Sequence, residues 1–228
     1  MNIHFATLET CAEAIGTVVS VDVLRAFTTA AFALANGASE ILLVGTVDEA
    51  FALRAQMPDA LVMGEVGGYP VPGFDFDNSP SKMAPRELAG RRLIQRTTAG
   101  TQGIVRSVRA ERLYAASFVC AAATAACLRA DGTADVTLVV TGQLEERDGD
   151  EDWACAELLA AWLRGERPDP RTFLARVARS TAGQKFHEPG HPVFPAEDLA
   201  LATDLDRFPF ALRVTREGAF HVLRAVAA

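Results

Sequence analysis

The chain has 228 residues, half of them apolar, and carries 22 Lys and Arg against 29 Asp and Glu, a net charge of -7. That much apolar material can build a large core for one domain over residues 1–228, divisible at most into subdomains of about 1–145 and 146–228. The acidic balance and the lack of a dense Lys/Arg block argue against nucleic acid or a membrane as the main partner, and leave room for a local basic pocket.

In chain order, MNIHFATLETCAEAI has neither a basic leader nor a continuous apolar run, so no secretory signal is expected and the predicted location is cytoplasmic. Strand-like runs follow at 17–23, 40–45, 60–65, 91–97, 112–117 and 135–141. Between them, Thr28 to Asn36 reads as a helix stopped by Gly37, and TVDEAFALRAQM opens on a capping box of Thr46 with Glu49. The most apolar run, Tyr114 to Leu128, overlaps the fifth strand and falls short of the roughly eighteen residues a membrane span needs. It reads as a buried helix carrying Cys120 and Cys127 on one face. With Cys11 and Cys155 these thiols lack any zinc-ligand spacing, and a reduced, structural role is expected. After Gly149 come two helical patterns, DEDWACAELLAAWLRG and PRTFLARVARS, then a hairpin turning at Glu217-Gly218. Thr181 to Pro195 has no clear period. The alternation predicts an α/β layer sandwich on a largely parallel sheet, made mixed by the C-terminal hairpin.

Ligands of open α/β sheets bind beyond the carboxyl ends of the strands. Asp22, Glu65, Thr97, Thr98 and Thr141 stand at such ends, and EERDGDED (145–152) brings Glu151 and Asp152 to a helix start. Acids gathered there repel one another unless a cation or protons neutralise them, and oxygen ligands of this kind suit Mg²⁺. The same acids at a helix start also complement its dipole. Arg25, Thr28 and Thr29 open a helix beside Asp22, which makes a candidate oxyanion site. TTAGTQG (97–103) is a second, with Gly100 and Gly103 allowing close backbone approach and Thr101 adding a hydroxyl. Neither is a P-loop, no GxGxxG is present, and Leu24 stands where a haloacid-dehalogenase-type phosphatase needs its second acid. His187 and His191, in HEPGH, are separated by a helix-breaking Pro-Gly and read as loop or core residues. GEVGGYPVPGFDFDNSP (64–80) has the period of neither helix nor strand, and a loop of that length inside a compact domain points to function.

SVDVLRAFTTAAFALANGASEI (20–41), GEVGGYPVPGFDFDNSP, TTAGTQG and DEDWACAELL (150–159) resemble, in that order, the 2-phosphosulfolactate phosphatase family associated with coenzyme M biosynthesis. The likeness runs from about Val18 to the C-terminal hairpin. It implies a three-layer α/β/α fold with a mixed sheet and a Mg²⁺-dependent phosphomonoester hydrolase acting on a small anionic three-carbon acid. It further implies that PGFDFDNSP closes over the substrate, with Asn78 and Ser79 in contact. The chain departs from the family pattern at Val66, where an arginine is expected, and at Ala99, where an asparagine is. The expected catalytic residues are then Asp22, Arg25 and Asp152. Mg²⁺ is expected on Asp22 and some of Glu65, Glu151 and Asp152. Thr28, Thr29, Asn78, Ser79, Thr97, Thr98, Gly100 and Thr101 are the expected substrate contacts. A metal-activated water and an aspartyl-phosphate on Asp22 are both open routes. A phosphatase for another small ester, or an anion-binding regulatory protein without turnover, is the alternative, and a homo-oligomer is compatible with either.

Overall fold

The computed structural model describes residues 1–144 and 147–228. Glu145 and Glu146 of the acidic run, and the expected subdivision at 145/146, lie outside the described residues. Nine described strands form one sheet: β1 (Asn2–Thr7), β2 (Gly16–Val21), β3 (Glu40–Val44), β4 (Leu61–Gly64), β5 (Arg92–Arg96), β6 (Ala110–Ala116), β7 (Asp135–Val140), β8 (Phe210–Glu217) and β9 (Phe220–Ala227). The helices are α1 (Ala26–Ala35), α2 (Val47–Gln56), α3 (Pro80–Met83), α4 (Gly100–Arg106), α5 (Ala121–Ala130), α6 (Asp150–Leu163), α7 (Arg171–Val177) and α8 (Ala196–Ala202).

The strand order is β1-β7-β2-β6-β8-β9-β3-β5-β4. The first four strands are mutually parallel, as are the last three, and the β8–β9 hairpin is inserted between them with antiparallel pairing on both sides. Three antiparallel steps therefore separate β6 from β3, so the two parallel groups run in opposite directions. The strand ends that carry acids do not share one edge of a uniform sheet, as the sequence suggests; they meet because loops from the two groups fold over the same place.

Side chains alternate between the two faces of the sheet. Val18, Ile41, Leu43 and Leu113 pack under α1, while Val19, Val21, Tyr114 and Leu138 pack under α5 and α6. Leu42, Val44, Val62 and Ile94, of opposite parity to Ile41 and Leu43, pack with Ala50 and Leu53 of α2. The result is the three-layer α/β/α arrangement. Burial on both faces explains why the central strands read as continuous apolar runs.

Local signals fix several elements. Thr46 Oγ1 accepts from Glu49 N at 3.1 Å, and Glu49 Oε2 accepts from Thr46 N at 3.2 Å, closing the capping box of α2. The hairpin turns one residue later than expected, on Gly218-Ala219, with Glu217 paired to Phe220. The apolar run from Tyr114 is divided: Tyr114, Ala115 and Ala116 pair with β2, a 3₁₀ turn covers Phe118–Cys120, and the helix begins at Ala121. Cys120 thus precedes the helix that contains Cys127. β1, which is not among the expected strands, is an edge strand held by β7. Among the described residues no helix is long and apolar enough to cross a membrane, and all four cysteines are free and buried.

Candidate active site

Asp22 leaves the end of β2 and caps the helix that follows. Its Oδ1 accepts from Ala26 N at 2.8 Å, satisfying one orphan donor of the first turn of α1. Its Oδ2 stands 3.5 Å from Thr141 Oγ1 and faces Gly100, where a β-carbon would come within 2.8 Å of it; only glycine lets α4 begin this close. Asp152, in the first turn of α6, is bound on both oxygens: Oδ1 accepts from Val23 N at 2.7 Å and Oδ2 from Gly142 N at 2.8 Å. Asp152 therefore clamps the backbone after β2 to the backbone after β7. Glu151 lies beside it, since a β-carbon on Gly142 would meet Glu151 Oε1 and Asp152 Oδ2 at 2.9 Å each. Glu151 Oε2 is buried with no hydrogen-bond partner among the described residues.

These three carboxylates are 5 %, 2 % and 1 % exposed for Asp22, Glu151 and Asp152, and water no longer screens them. Burial pushes the Asp22 carboxyl up to about 6, against the pull of the Ala26 amide and with help from the charges of Glu65 and Glu151. Burial, then Glu151 and Asp22, push Asp152 well above the usual carboxylate range, and burial raises Glu151 as well. A cluster of this kind costs stability wherever it is ionised, and such perturbation marks functional sites.

Glu65 sits differently. Its Oε1 accepts from Thr98 N at 2.5 Å, and its Oε2 accepts from Thr98 Oγ1 at 3.0 Å and from Gly68 N. It ties the long loop after β4 to the turn after β5. In that turn Thr97 and Thr101 bind each other: Thr97 N donates to Thr101 Oγ1 at 2.9 Å, and Thr101 N to Thr97 Oγ1 at 3.0 Å.

Arg25 is 4 % exposed. Its Nη1 donates to Asp198 Oδ2 at 2.8 Å and to Val193 O at 2.7 Å, and Nη2 donates to Gly68 O at 3.2 Å. The guanidinium lies 5.3 Å from the Phe186 ring centroid and 5.1 Å from that of Phe194, which adds cation–π attraction. Asp198 also accepts from Ser79 Oγ at 2.8 Å and Ser81 N at 2.9 Å. This buried ion pair joins the start of α1, the end of the long loop and the start of α8. His191 Nδ1 accepts from Val193 N and Phe194 N, both at 3.1 Å, and so shapes the turn that carries Phe194.

Asp22, Arg25, Glu65, Asn78, Arg147 and Lys185 share one cavity of about 40 Å³, walled by Ala99, Phe186 and Phe194. A cavity of about 500 Å³ opens between α5 and the end of α6, beside Arg129, Trp162 and Asp206. It lacks the buried carboxylate cluster, so size does not select it. In the small cavity Asn78 is 4 % exposed, and its Oδ1 has no partner among the described residues.

Residues 4–205 match the family model described as 2-phosphosulpholactate phosphatase. A probable 2-phosphosulfolactate phosphatase of Bacillus subtilis is 34 % identical over 201 residues, covering 88 % of this chain and 87 % of the relative. One from Deinococcus radiodurans is 35 % identical over 193 residues, covering 82 % and 80 %. A third, from Carboxydothermus hydrogenoformans, is 40 % identical over 173 residues, covering 74 % and 71 %.

The chain belongs to the 2-phosphosulpholactate phosphatase family. Membership makes it a phosphatase-family enzyme, and the cavity with the buried acids is the candidate for its chemistry. Of the residues expected from sequence, the structure brings Asp22, Arg25, Glu65 and Asn78 to that cavity, with Glu151 and Asp152 behind Asp22. Thr28, whose hydroxyl donates to Val23 O at 2.8 Å, and Thr29, buried without a partner among the described residues, lie inside α1 and do not line it. Ser79 is directed to Asp198, Thr97 and Thr101 to each other, and Thr98 to Glu65. Gly100 backs Asp22. Of the two departures from the family pattern, Ala99 lines the cavity and Val66 is exposed. Sequence reasoning missed Asp198, Arg147 and Lys185. Asp198 lies 173 residues from Arg25, and nothing local in PAEDLA marks it.

Among the described residues, no three or more His, Cys, Asp or Glu side chains stand in a metal-holding arrangement. What fits a cation is narrower: Asp22 Oδ2 and Glu151 Oε2 are carboxylate oxygens without an N–H donor, at the centre of mutual repulsion. Two carboxylates completed by waters and substrate is a usual Mg²⁺ set.

Proposed function

We propose that the chain hydrolyses 2-phosphosulfolactate to sulfolactate and inorganic phosphate, and that Mg²⁺ is its cofactor. The observation that carries this is the buried trio of Asp22, Glu151 and Asp152, of which Asp22 lines the cavity, in a chain of this family. Asp22 and Glu151 would hold the cation, each through the oxygen that has no N–H donor. Bound there, Mg²⁺ would polarise phosphoryl oxygens and lower the pKa of a coordinated water.

The protein's own groups then have separate tasks. Asp152 spends both oxygens on backbone donors and so ties the first turn of α6, which carries Glu151, to the backbone that follows Asp22. Glu65 sets the loop that walls the cavity. Three of the five N–H donors of Arg25 are committed to protein acceptors. The other two and the Asn78 amide are available to phosphoryl oxygens as charge develops on them. Phe186 and Phe194 exclude water and so strengthen these contacts.

The test is release of phosphate from 2-phosphosulfolactate, with Mg²⁺ and with a chelator, for the wild type and Asp22→Asn. Metal-dependent release that the substitution abolishes is the expected result. Release that survives both chelation and Asp22→Asn refutes the assignment, and binding of the ester without release replaces it with an anion-binding role.

A further inference from the structure

The cavity has two cationic side chains that the hydrolytic scheme leaves unused, Arg147 and Lys185. We propose that Lys185, with Arg147 beside it, is the specificity-determining contact of this site, its ammonium receiving the sulfonate or carboxylate tail of the substrate while the phosphoryl group faces Asp22. This deepens the reading of the chain as a 2-phosphosulfolactate phosphatase and rests on it.

Four observations lead there. Arg25 cannot serve the tail as a free counter-charge, because its ion pair with the fully buried Asp198 already neutralises it. Lys185, by contrast, has no carboxylate within ion-pair distance among the described residues; its Nζ is 5.5 Å from the centroid of the Phe194 ring. Lys185 is held below the usual lysine range, first by burial and then by the charge of Arg147, with a smaller push from Arg25 and against the opposite pull of Glu65 and Glu151. Crowding of like charges at a rim is relieved by an anionic guest, and that relief is affinity.

The fourth observation is mechanical. Lys185 rides on the 3₁₀ turn Gly183–Phe186. On one side Phe186, 3 % exposed, is packed against Arg25. On the other Gly183 is pressed against α7, where a β-carbon would lie 2.0 Å from Val177 O. The base of the lysine is fixed while its exposed four-carbon arm is free to move. About 40 Å³ holds only a water or two, less than a three-carbon phosphate ester needs. A swing of that exposed arm would let the cavity admit the ester and then bring the ammonium onto the tail.

The test compares two phosphate esters: 2-phosphosulfolactate, whose tail carries two further negative charges, and glycerol 2-phosphate, whose tail is neutral. The ratio of their kcat/KM values is expected to fall about ten-fold in Lys185→Met, mainly through KM, and to recover to within about three-fold in Lys185→Arg. An unchanged ratio, or equal loss on both esters, overturns the proposal. Calorimetric titration with sulfolactate, which carries the tail and no phosphate, decides the matter separately from turnover. If the wild type hydrolyses neither ester, the phosphatase reading fails. In that case weaker sulfolactate binding by Lys185→Met than by the wild type still upholds the tail contact, and equal or undetectable binding by the wild type overturns it.

Discussion

Asp22→Asn should stabilise the metal-free protein while abolishing its activity. The folded-state pKa of Asp22 is about 6, against an ordinary 3.8. Between these values the native state binds a proton that the unfolded state has lost, so stability falls as pH rises through that window and stays lowered above it. Keeping the carboxyl ionised at pH 8 therefore costs about 3 kcal/mol. Asparagine preserves the Oδ1 acceptor for Ala26 N, removes the charge, and turns an N–H₂ toward Thr141 and the neighbouring acids. In a chain of this size the gain corresponds to a rise in Tm of about 6–12 °C. Thermal unfolding in chelator at pH 8 should show that rise, and at pH 4, where the wild-type group is protonated when folded, the two curves should nearly coincide. Saturating Mg²⁺ should close the gap at pH 8 by stabilising the wild type alone. Parallel pH profiles for the two proteins in chelator would refute the reasoning, because Asp22 would then bear no penalty for a cation to relieve.

Gly100→Ala places a methyl 2.6 Å from Ala26 Cβ and 2.8 Å from Asp22 Oδ2; kcat should fall at least about ten-fold as the carboxylate is displaced, measured as phosphate release. Asp198→Ala leaves Arg25 buried without its partner, and denaturant unfolding should report a loss of about 3–5 kcal/mol. Glu65→Gln faces three donors with an amide that has one acceptor oxygen. A loss of about 1–3 kcal/mol is expected, with a raised KM as the loop carrying Gly68 loosens.

Much of the fold was legible in the sequence because its signals are local. Continuous apolar runs locate strands buried on both faces, and the box at Thr46 and Glu49 fixes the start of α2. The reversal of direction between the two halves of the sheet was not legible. It comes from where the hairpin inserts, a pairing between residues far apart that no period encodes. The same distinction divides the site. Asp22 and Glu65 could be placed because each terminates a strand. Glu65 proves to be a brace for the Thr98 turn, a role set by the folded loop. Lys185 escaped because Thr181 to Pro195 has no regular period; its place at the cavity is decided by the anchoring of Phe186 and Phe194 on Arg25.

The distribution of charge around the cavity assigns its two ends. Arg25 and Asp198 cancel inside the protein, so neither dominates the field felt by a ligand. At the inner end the carboxylates of Asp22, Glu151 and Asp152 repel one another, relieved by backbone amides, hydroxyls and the charge of Arg147, and the acids repel a phosphoryl dianion unless a cation intervenes. At the rim, Lys185 and Arg147 repel each other and attract any anion. A ligand with one anionic group would be drawn to the rim and stop there. On the proposed assignment, a ligand with a phosphoryl group at one end and further negative charge at the other would satisfy both ends at once, Asp22 and Glu151 being the residues that would hold the cation needed by the first. The site so assigned would select for how charge is distributed along its ligand as well as for total charge, and that selection would separate a phosphorylated sulfo-acid from the simple phosphate esters around it.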